Sequence, residues 1–374
     1  SSGSITLSIV INKMSSYVIE VQNIQGKPEN YLLTSNLLGG GAMGSVWVGK
    51  KMNENGEVLR KEVAIKQILI KDEYTENDIK SVLNETQIMT RLMEKLGKCN
   101  EFSPVACFYG HHLDLKRYRL YIVMEKINGE LLSEVDTDPE NAEGVFKLFL
   151  KALEGLRFFE EIHFVHRDIK PSNIMINKID DHRKNLKFVD FGIGCNEKIV
   201  ENNIDVCTLG HTPGTELFID PLVYIYAKTG KKYRINHLSD VYGLAASFYD
   251  IYCNNGNDKH VKHMPDYRTG DADELFQHVV KTIDENDKMA PALKDYLRQM
   301  MNPFQRPSAT ELLSHSSPKR YKSILAEIES DDMSSSIASI VSSSRDDKEN
   351  DDDSIITLDE FNRRVAERTR EDAE

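Results

Sequence analysis

A chain of 374 residues is long enough for two lobes, each with its own core. Its apolar fraction of 40% is ordinary for a globular protein, and no apolar run reaches the ~18 residues that a membrane-spanning helix needs. The net charge of −13 sits mostly at one end, where residues 327–374 carry 16 acidic and 6 basic side chains; the nearly balanced body lacks the basic footprint of a nucleic-acid binder.

The opening stretch has neither the Lys/Arg cluster nor the small-residue cleavage site of a secretory signal. Residues 5–24, "ITLSIVINKMSSYVIEVQNI", alternate apolar and polar around a Lys-Met-Ser-Ser break, which predicts a hairpin within an N-terminal extension of residues 1–29. From Tyr31 to Val48 two short strands flank a glycine cluster, and "EVAIKQILI" (62–70) and "RLYIVMEKI" (119–127) read as further strands. Between them, residues 76–96 change to helical spacing, with Ile79, Val82, Leu83, Thr86, Met89, Met93 and Leu96 on one face. The first lobe is therefore expected over 30–127, as a mostly antiparallel sheet with one helix.

After "DTDPENAEG" the chain turns helical. Asp138 suits an N-cap with Pro139 at the first helical position, and Val145, Phe146, Phe149, Leu153, Leu156 and Phe159 follow at helical period. Helical patterns return at 239–252, 272–285, 291–301 and from Ala309, giving a second lobe over 128–322. Residues 323–374 form an acidic, serine-rich stretch too poor in apolar residues to order itself. Within it, Thr357 and Glu360 fit a capping box ahead of a short helix over 358–369, a transient element or a docking site for a partner.

The five cysteines, Cys99, Cys107, Cys195, Cys207 and Cys253, are odd in number, scattered, and form no C-x-x-C pair. Their spacing predicts neither a zinc site nor a disulfide framework, and the expectation is a reducing intracellular compartment, the cytoplasm first and the nucleus second.

Two motifs carry chemistry. "GGGAMGSV" places Gly39, Gly40, Gly41, Ala42, Gly44 and Val46 between two strands, where glycines let the backbone approach phosphate oxygens; taken alone, a flexible hairpin explains it as well. "HRDIKPSN" is far more specific, since its fixed residues should coincide by chance only on the order of 10⁻⁴ times in this length. It follows a long helix and precedes "KFVDFG". In this order and spacing the chain resembles the eukaryotic protein kinase family, of the serine/threonine type, from roughly Tyr31 to Lys322.

That resemblance implies an α+β fold of two lobes, with ATP and Mg²⁺ (or Mn²⁺ in its place) held between them. It assigns Lys66 of "VAIK" to the α/β-phosphates and Glu85 as its partner, Asp168 to the substrate hydroxyl, Lys170 to the γ-phosphate, and Asn173 and Asp190 to the metal. These last two supply the hard oxygen ligands that Mg²⁺ requires. Val46 and Ala64 are expected above the adenine and Met175 below it, with Met124 at the gatekeeper position and Glu125 to Ile127 as the hinge. His166 is expected to be structural, and Asp240 to anchor the catalytic loop from below. Arg167 belongs to the kinase type in which an activation-loop phosphate docks on arginine, with Thr208 and Thr212 as candidate targets of an activating kinase. The acidic run Glu197, Glu201, Asp205 also admits activity without phosphorylation.

"TPGTELFIDPL" (212–222) resembles the end of the family's activation segment, which places Thr215 against Asp168 and Lys170. Here Asp220 and Leu222 replace the alanine and glutamate of the family's Ala-Pro-Glu ending. The missing glutamate ordinarily pairs with an arginine, here Arg306, so Asp220 or another nearby carboxylate is expected to take its place unless Arg306 is solvated. The resulting expectation is an ATP-dependent serine/threonine protein kinase acting on protein substrates, with no nucleic-acid or membrane partner. The alternatives are a pseudokinase scaffold and an ATP-dependent kinase of a small metabolite. Peptide specificity is open: Ser172 removes one basis for arginine recognition, while Glu130 would favour a basic residue upstream.

Overall fold

The computed structural model describes residues 17–41, 44–71, 74, 76–180, 183–197, 200–201, 204–205, 207–209, 214–223, 233–253 and 272–314. Ala42, Thr212, residues 1–16 and the acidic stretch 323–374 with its helix at 358–369 lie outside the described residues.

The first lobe is an antiparallel sheet of β1 (Tyr17–Gln22), β2 (Pro28–Gly41), β3 (Gly44–Met52), β4 (Val58–Leu69), β5 (Phe108–Asp114) and β6 (Arg119–Glu125), in the order β1-β2-β3-β4-β6-β5. A single pairing, Gln22 with His111, closes β1 onto β5. Alternation in the sequence sets which face is buried: Ile19, Val21, Tyr31, Leu33, Val63, Ile65, Tyr121 and Val123 form one small core. Tyr17–Gln22 pairs with Pro28–Leu33, so the second half of the expected hairpin at 5–24 belongs to the main sheet, and residue 30 falls inside β2.

Helix α1 (Glu76–Leu96) spans the residues that the spacing marks out. Its buried face, with Thr86, Met89, Leu92, Met93 and Leu96, packs on β5 and joins the larger core of the second lobe.

In that second lobe, α2 (Ala142–Glu161), α3 (His237–Cys253), α4 (Ala272–Glu285), α5 (Pro291–Met301) and α6 (Ala309–Ser314) surround a core rich in aromatic rings. Phe149 meets Phe248 edge-on at 5.2 Å and Tyr296 at 5.3 Å, joining α2 to α3 and α5. Such pairs add about 0.5–1.5 kcal/mol beyond the area they bury. Asp138 is the N-cap residue with Pro139 first, as expected, but of a 3-10 turn at Pro139–Asn141 and without a side-chain capping bond; α2 itself starts at Ala142. Of the short strands β7 (Gly129–Leu131), β8 (Phe164–Val165), β9 (Ile174–Lys178), β10 (Lys184–Phe188) and β11 (Cys195–Asn196), β10, β9 and β7 form one small sheet and β11 pairs with β8.

The cysteines require a correction. Cys99 is joined to Cys107, and Cys195 to Cys207, by disulfides that close loops of 8 and 12 residues; Cys253 is free. Each pair has its Cα atoms 5.6 Å apart, a separation that sequence spacing alone does not reveal. The cysteine count therefore no longer supports a reducing compartment.

Candidate active site

The site lies where the sheet of the first lobe faces β9 and the loops beside it. Gly39 and Gly40 pair with Val46 and Ser45 across the β2–β3 turn. Gly44 is required by its backbone: it sits at φ +135°, and a Cβ there would stand 2.3 Å from the Gln67 carbonyl oxygen. At Gly39 a Cβ would meet nothing within 4 Å, so this glycine leaves room beside the turn without serving packing.

Strand β4 brings Ala64 opposite Met124 and Lys66 opposite Val46, so the expected adenine contacts lie on neighbouring strands. Met175 lies on β9, paired with Leu131. Lys66 Nζ reaches both carboxylate oxygens of Glu85, at 2.8 and 2.7 Å, and Asp190 Oδ1 at 2.9 Å. Lys66 and Glu85 are 8% and 3% exposed, so each charge depends on the other. Burial disfavours the Lys66 ammonium, but Glu85 and Asp190 outweigh it and hold its pKa above the ordinary lysine value. Asp190 is held below the ordinary carboxylate range, mainly by Lys66 working against burial.

The catalytic loop is fixed from below by Asp240 on α3, whose carboxylate accepts the backbone N–H of His166 at 2.6 Å and of Arg167 at 2.9 Å. His166 is fully buried among the rings of Phe159, Phe188 and Phe191, its Nε2 is 3.1 Å from the Val189 carbonyl, and burial lowers its pKa, so it packs behind the loop. Arg167 at φ 69° and Asp190 at φ 66° sit in left-handed backbone, which non-glycine residues adopt where the surroundings impose it.

Four side chains meet at the reacting end. Asp168 Oδ1 accepts both the backbone N–H and the hydroxyl of Thr215, each at 2.9 Å, while Oδ2 lies 2.9 Å from Lys170 Nζ. Lys170 also donates to Thr215 Oγ1 at 2.7 Å. Asn173 Nδ2 donates to the carbonyl and to Oδ2 of Asp168, both at 2.9 Å, which leaves Asn173 Oδ1 available to a cation together with the second oxygen of Asp190. These oxygen donors, with Lys66 beside them and the glycine turn beyond, fit a magnesium nucleotide. Asp220, five residues beyond Thr215, pairs with Arg306.

Sequence reasoning missed one constellation. Glu125, expected as a hinge residue, has its carboxylate directed away from the cleft: it accepts Lys187 Nζ at 2.9 Å and the Cys107 N–H at 3.1 Å. Lys187 is fully buried and also donates to the carbonyls of Asn100 and Val105. The N–H of Glu125 is engaged as well, donating to the Cys107 carbonyl at 2.7 Å. A lysine at an inward position of β10 was the signal in the sequence.

Among known proteins, residues 32–317 match the protein kinase domain family. The chain is 27% identical over 291 residues to the MAP kinase kinase kinase wis4 of Schizosaccharomyces pombe, covering 74% of this chain and 18% of that protein. It is 26% identical over 291 residues to the serine/threonine-protein kinase sid1 of the same yeast, covering 74% and 52%. With the MAP kinase kinase kinase SSK2 of Saccharomyces cerevisiae it shares 28% over 212 residues, 56% and 12%. The chain thus spans about half the length of one of these relatives and under a fifth of the other two. It belongs to the protein kinase family, and its fold is the two-lobed α+β fold of that family. No described helix is long and apolar enough to cross a membrane.

Proposed function

We propose that the domain transfers the γ-phosphoryl group of ATP to serine and threonine hydroxyls of protein substrates. The observation that carries this reading is Thr215, bonded through both its N–H and its hydroxyl to Asp168 while Lys170 donates to the same oxygen. This arrangement ties the substrate-receiving segment to the atom that accepts the substrate's proton. Phosphoryl transfer depends mainly on positioning and charge stabilisation, and the chain holds a residue for each task. Lys66, fixed by Glu85, binds phosphate oxygens; Asp168 orients the incoming hydroxyl and takes its proton; Lys170 offsets negative charge at the transferring group. Asn173 and Asp190 would hold Mg²⁺, with Mn²⁺ as the alternative, and the bound ion supplies charge neutralisation between the phosphates.

A pseudokinase reading is disfavoured because none of Lys66, Glu85, Asp168, Lys170, Asn173 or Asp190 is lost. The names of the matched relatives span several kinase classes, so no particular protein substrate is carried over from them. Thr208, whose backbone pairs with Arg234, and Thr212 are the proposed targets of an activating kinase. Incubation with Mg-ATP and a generic basic protein, beside an Asp168→Ala variant, tests the reading. Incorporation by the native domain alone supports it, and equal incorporation by both overturns it.

A further inference from the structure

The Asp190 carboxylate is only as well placed as the backbone that carries it. On one side, the Val189 N–H donates to the Asn173 carbonyl at 3.0 Å, and the Val189 carbonyl lies 3.1 Å from His166 Nε2. On the other, Phe191 is buried against the rings of Phe159, Phe164 and His166. Three successive carbonyls then each accept a side-chain donor. Gly192 accepts Asn84 Nδ2 at 3.4 Å, Ile193 accepts Arg167 Nε, and Gly194 accepts Arg167 Nη2 at 3.4 Å. The Gly194 N–H closes the turn on the Phe191 carbonyl at 3.0 Å.

The two donors come from different lobes. Arg167 belongs to the catalytic loop, whereas Asn84 lies on α1 beside Glu85, the partner of Lys66. One turn further along α1, Ile88 approaches the same stretch. A Cβ at Gly194 would stand 3.2 Å from Ile88 Cδ1 and 2.6 Å from the Phe164 ring, so these two side chains fill the space there. Residues four apart share a helix face, and α1 therefore meets residues 192–194 at one polar and one apolar point.

We infer that Asn84 is a positioning residue for Asp190: by holding the Gly192 carbonyl it fastens the backbone beyond Asp190 to the turn of α1 that carries Glu85, so that the cation-binding carboxylate and the Lys66–Glu85 pair are set in place together. Asp190 sits at φ 66°, a conformation that an aspartate keeps only where its neighbours fix it on both sides. Val189 is fixed by Asn173 and His166; beyond Phe191 the fixing falls to Asn84 and Arg167. Because Asn84 and Glu85 are consecutive, a displacement of α1 that withdraws Glu85 from Lys66 also withdraws Asn84 from Gly192.

The proposal rests on the kinase reading, and the test separates the two. Asn84→Ala places a stronger helix former in α1, so a loss cannot come from a weakened helix, and a melting curve checks the fold. Titration with a fluorescent ATP analogue should show affinity lowered about three- to tenfold with Mg²⁺ present, the change that one neutral hydrogen bond supplies, and little altered in EDTA. Without nucleotide or metal, hydrogen exchange at the Gly194 amide should quicken by a similar factor. Asn84→Gln keeps the amide donor and should recover part of both effects. Gln87→Ala, at an exposed position of the same helix, should change neither. Native affinity and native exchange in Asn84→Ala overturn the proposal, as does an equal loss of affinity with and without Mg²⁺. If no form phosphorylates protein, yet Asn84→Ala shows the Mg²⁺-dependent loss and the faster exchange, the positioning role stands and the kinase reading fails.

Discussion

Arg306 and Asp220 form a buried salt bridge, Nη1 to Oδ2 at 2.5 Å, with the two side chains only 4% and 2% exposed. Arg306 also donates to the carbonyls of Met300, at 2.6 Å, and Leu238, at 3.2 Å, and lies 5.0 Å over the Tyr242 ring. The expectation that a nearby carboxylate replaces the glutamate absent at Leu222 is met, and by the residue two positions earlier. Leu222 is freed from that task; its N–H donates to Asp220 Oδ1 at 3.0 Å.

Removing one partner of a buried ion pair leaves an uncompensated charge. Asp220→Ala should therefore lower the unfolding free energy by roughly 3–5 kcal/mol. Replacing both residues, as Asp220→Ala/Arg306→Leu, should cost less than Asp220→Ala alone. Urea unfolding of the three proteins checks this.

Lys187 behaves likewise behind the hinge. Lys187→Met should destabilise the domain by about 3–5 kcal/mol, because Glu125 loses its cationic partner and two buried carbonyls lose a donor. Adding Glu125→Gln should recover part of the loss, measured by the same unfolding curves.

The segment should also respond to pH. His237 donates its N–H to Glu197 Oε1 at 2.7 Å and has Nδ1 at 3.2 Å from the same oxygen, with Glu160 3.8 Å from Nε2. Its pKa is raised above 6.5, chiefly by the bond to Glu197, and that of Glu197 is lowered below 4.5 because the His237 bonds outweigh burial. A raised histidine pKa means stability fully present below 6.5 and lost as pH rises through the folded value; the lowered Glu197 pKa means stability present above 4.5 and lost as pH falls through the folded value. The contact is thus strongest in mild acid. Resistance to proteolysis beside Glu197 should fall as pH rises above 6.5, and His237→Gln should flatten that dependence.

Lys66→Met should lower kcat by about 10²-fold or more, since one preorganised charge is removed from the phosphate site. Steady-state kinetics with a melting curve as control separate this from unfolding, because Glu85 is buried and loses its partner.

Much of this was legible because the informative residues are local in sequence. "HRDIKPSN" and "KFVDFG" each hold their chemistry within eight residues, and the bounds of α4 and α5 follow from apolar period alone. Strand β5, "FYGHHLD", was not visible, since paired histidines and the bulge at Gly110 break its alternation. The disulfides and the Lys187–Glu125 pair join residues whose proximity only the fold creates. Tyr17–Gln22 read as an appendage because nothing in its own pattern names Pro28–Leu33 as its partner.

The most direct test of the account follows the γ-phosphate of ATP to its destination. With labelled Mg-ATP and a basic protein, acid hydrolysis should place the label on phosphoserine and phosphothreonine, and Asp168→Ala should abolish it while still binding nucleotide. Label recovered only as free phosphate or phosphotyrosine, or at equal levels with Asp168→Ala, would contradict the account.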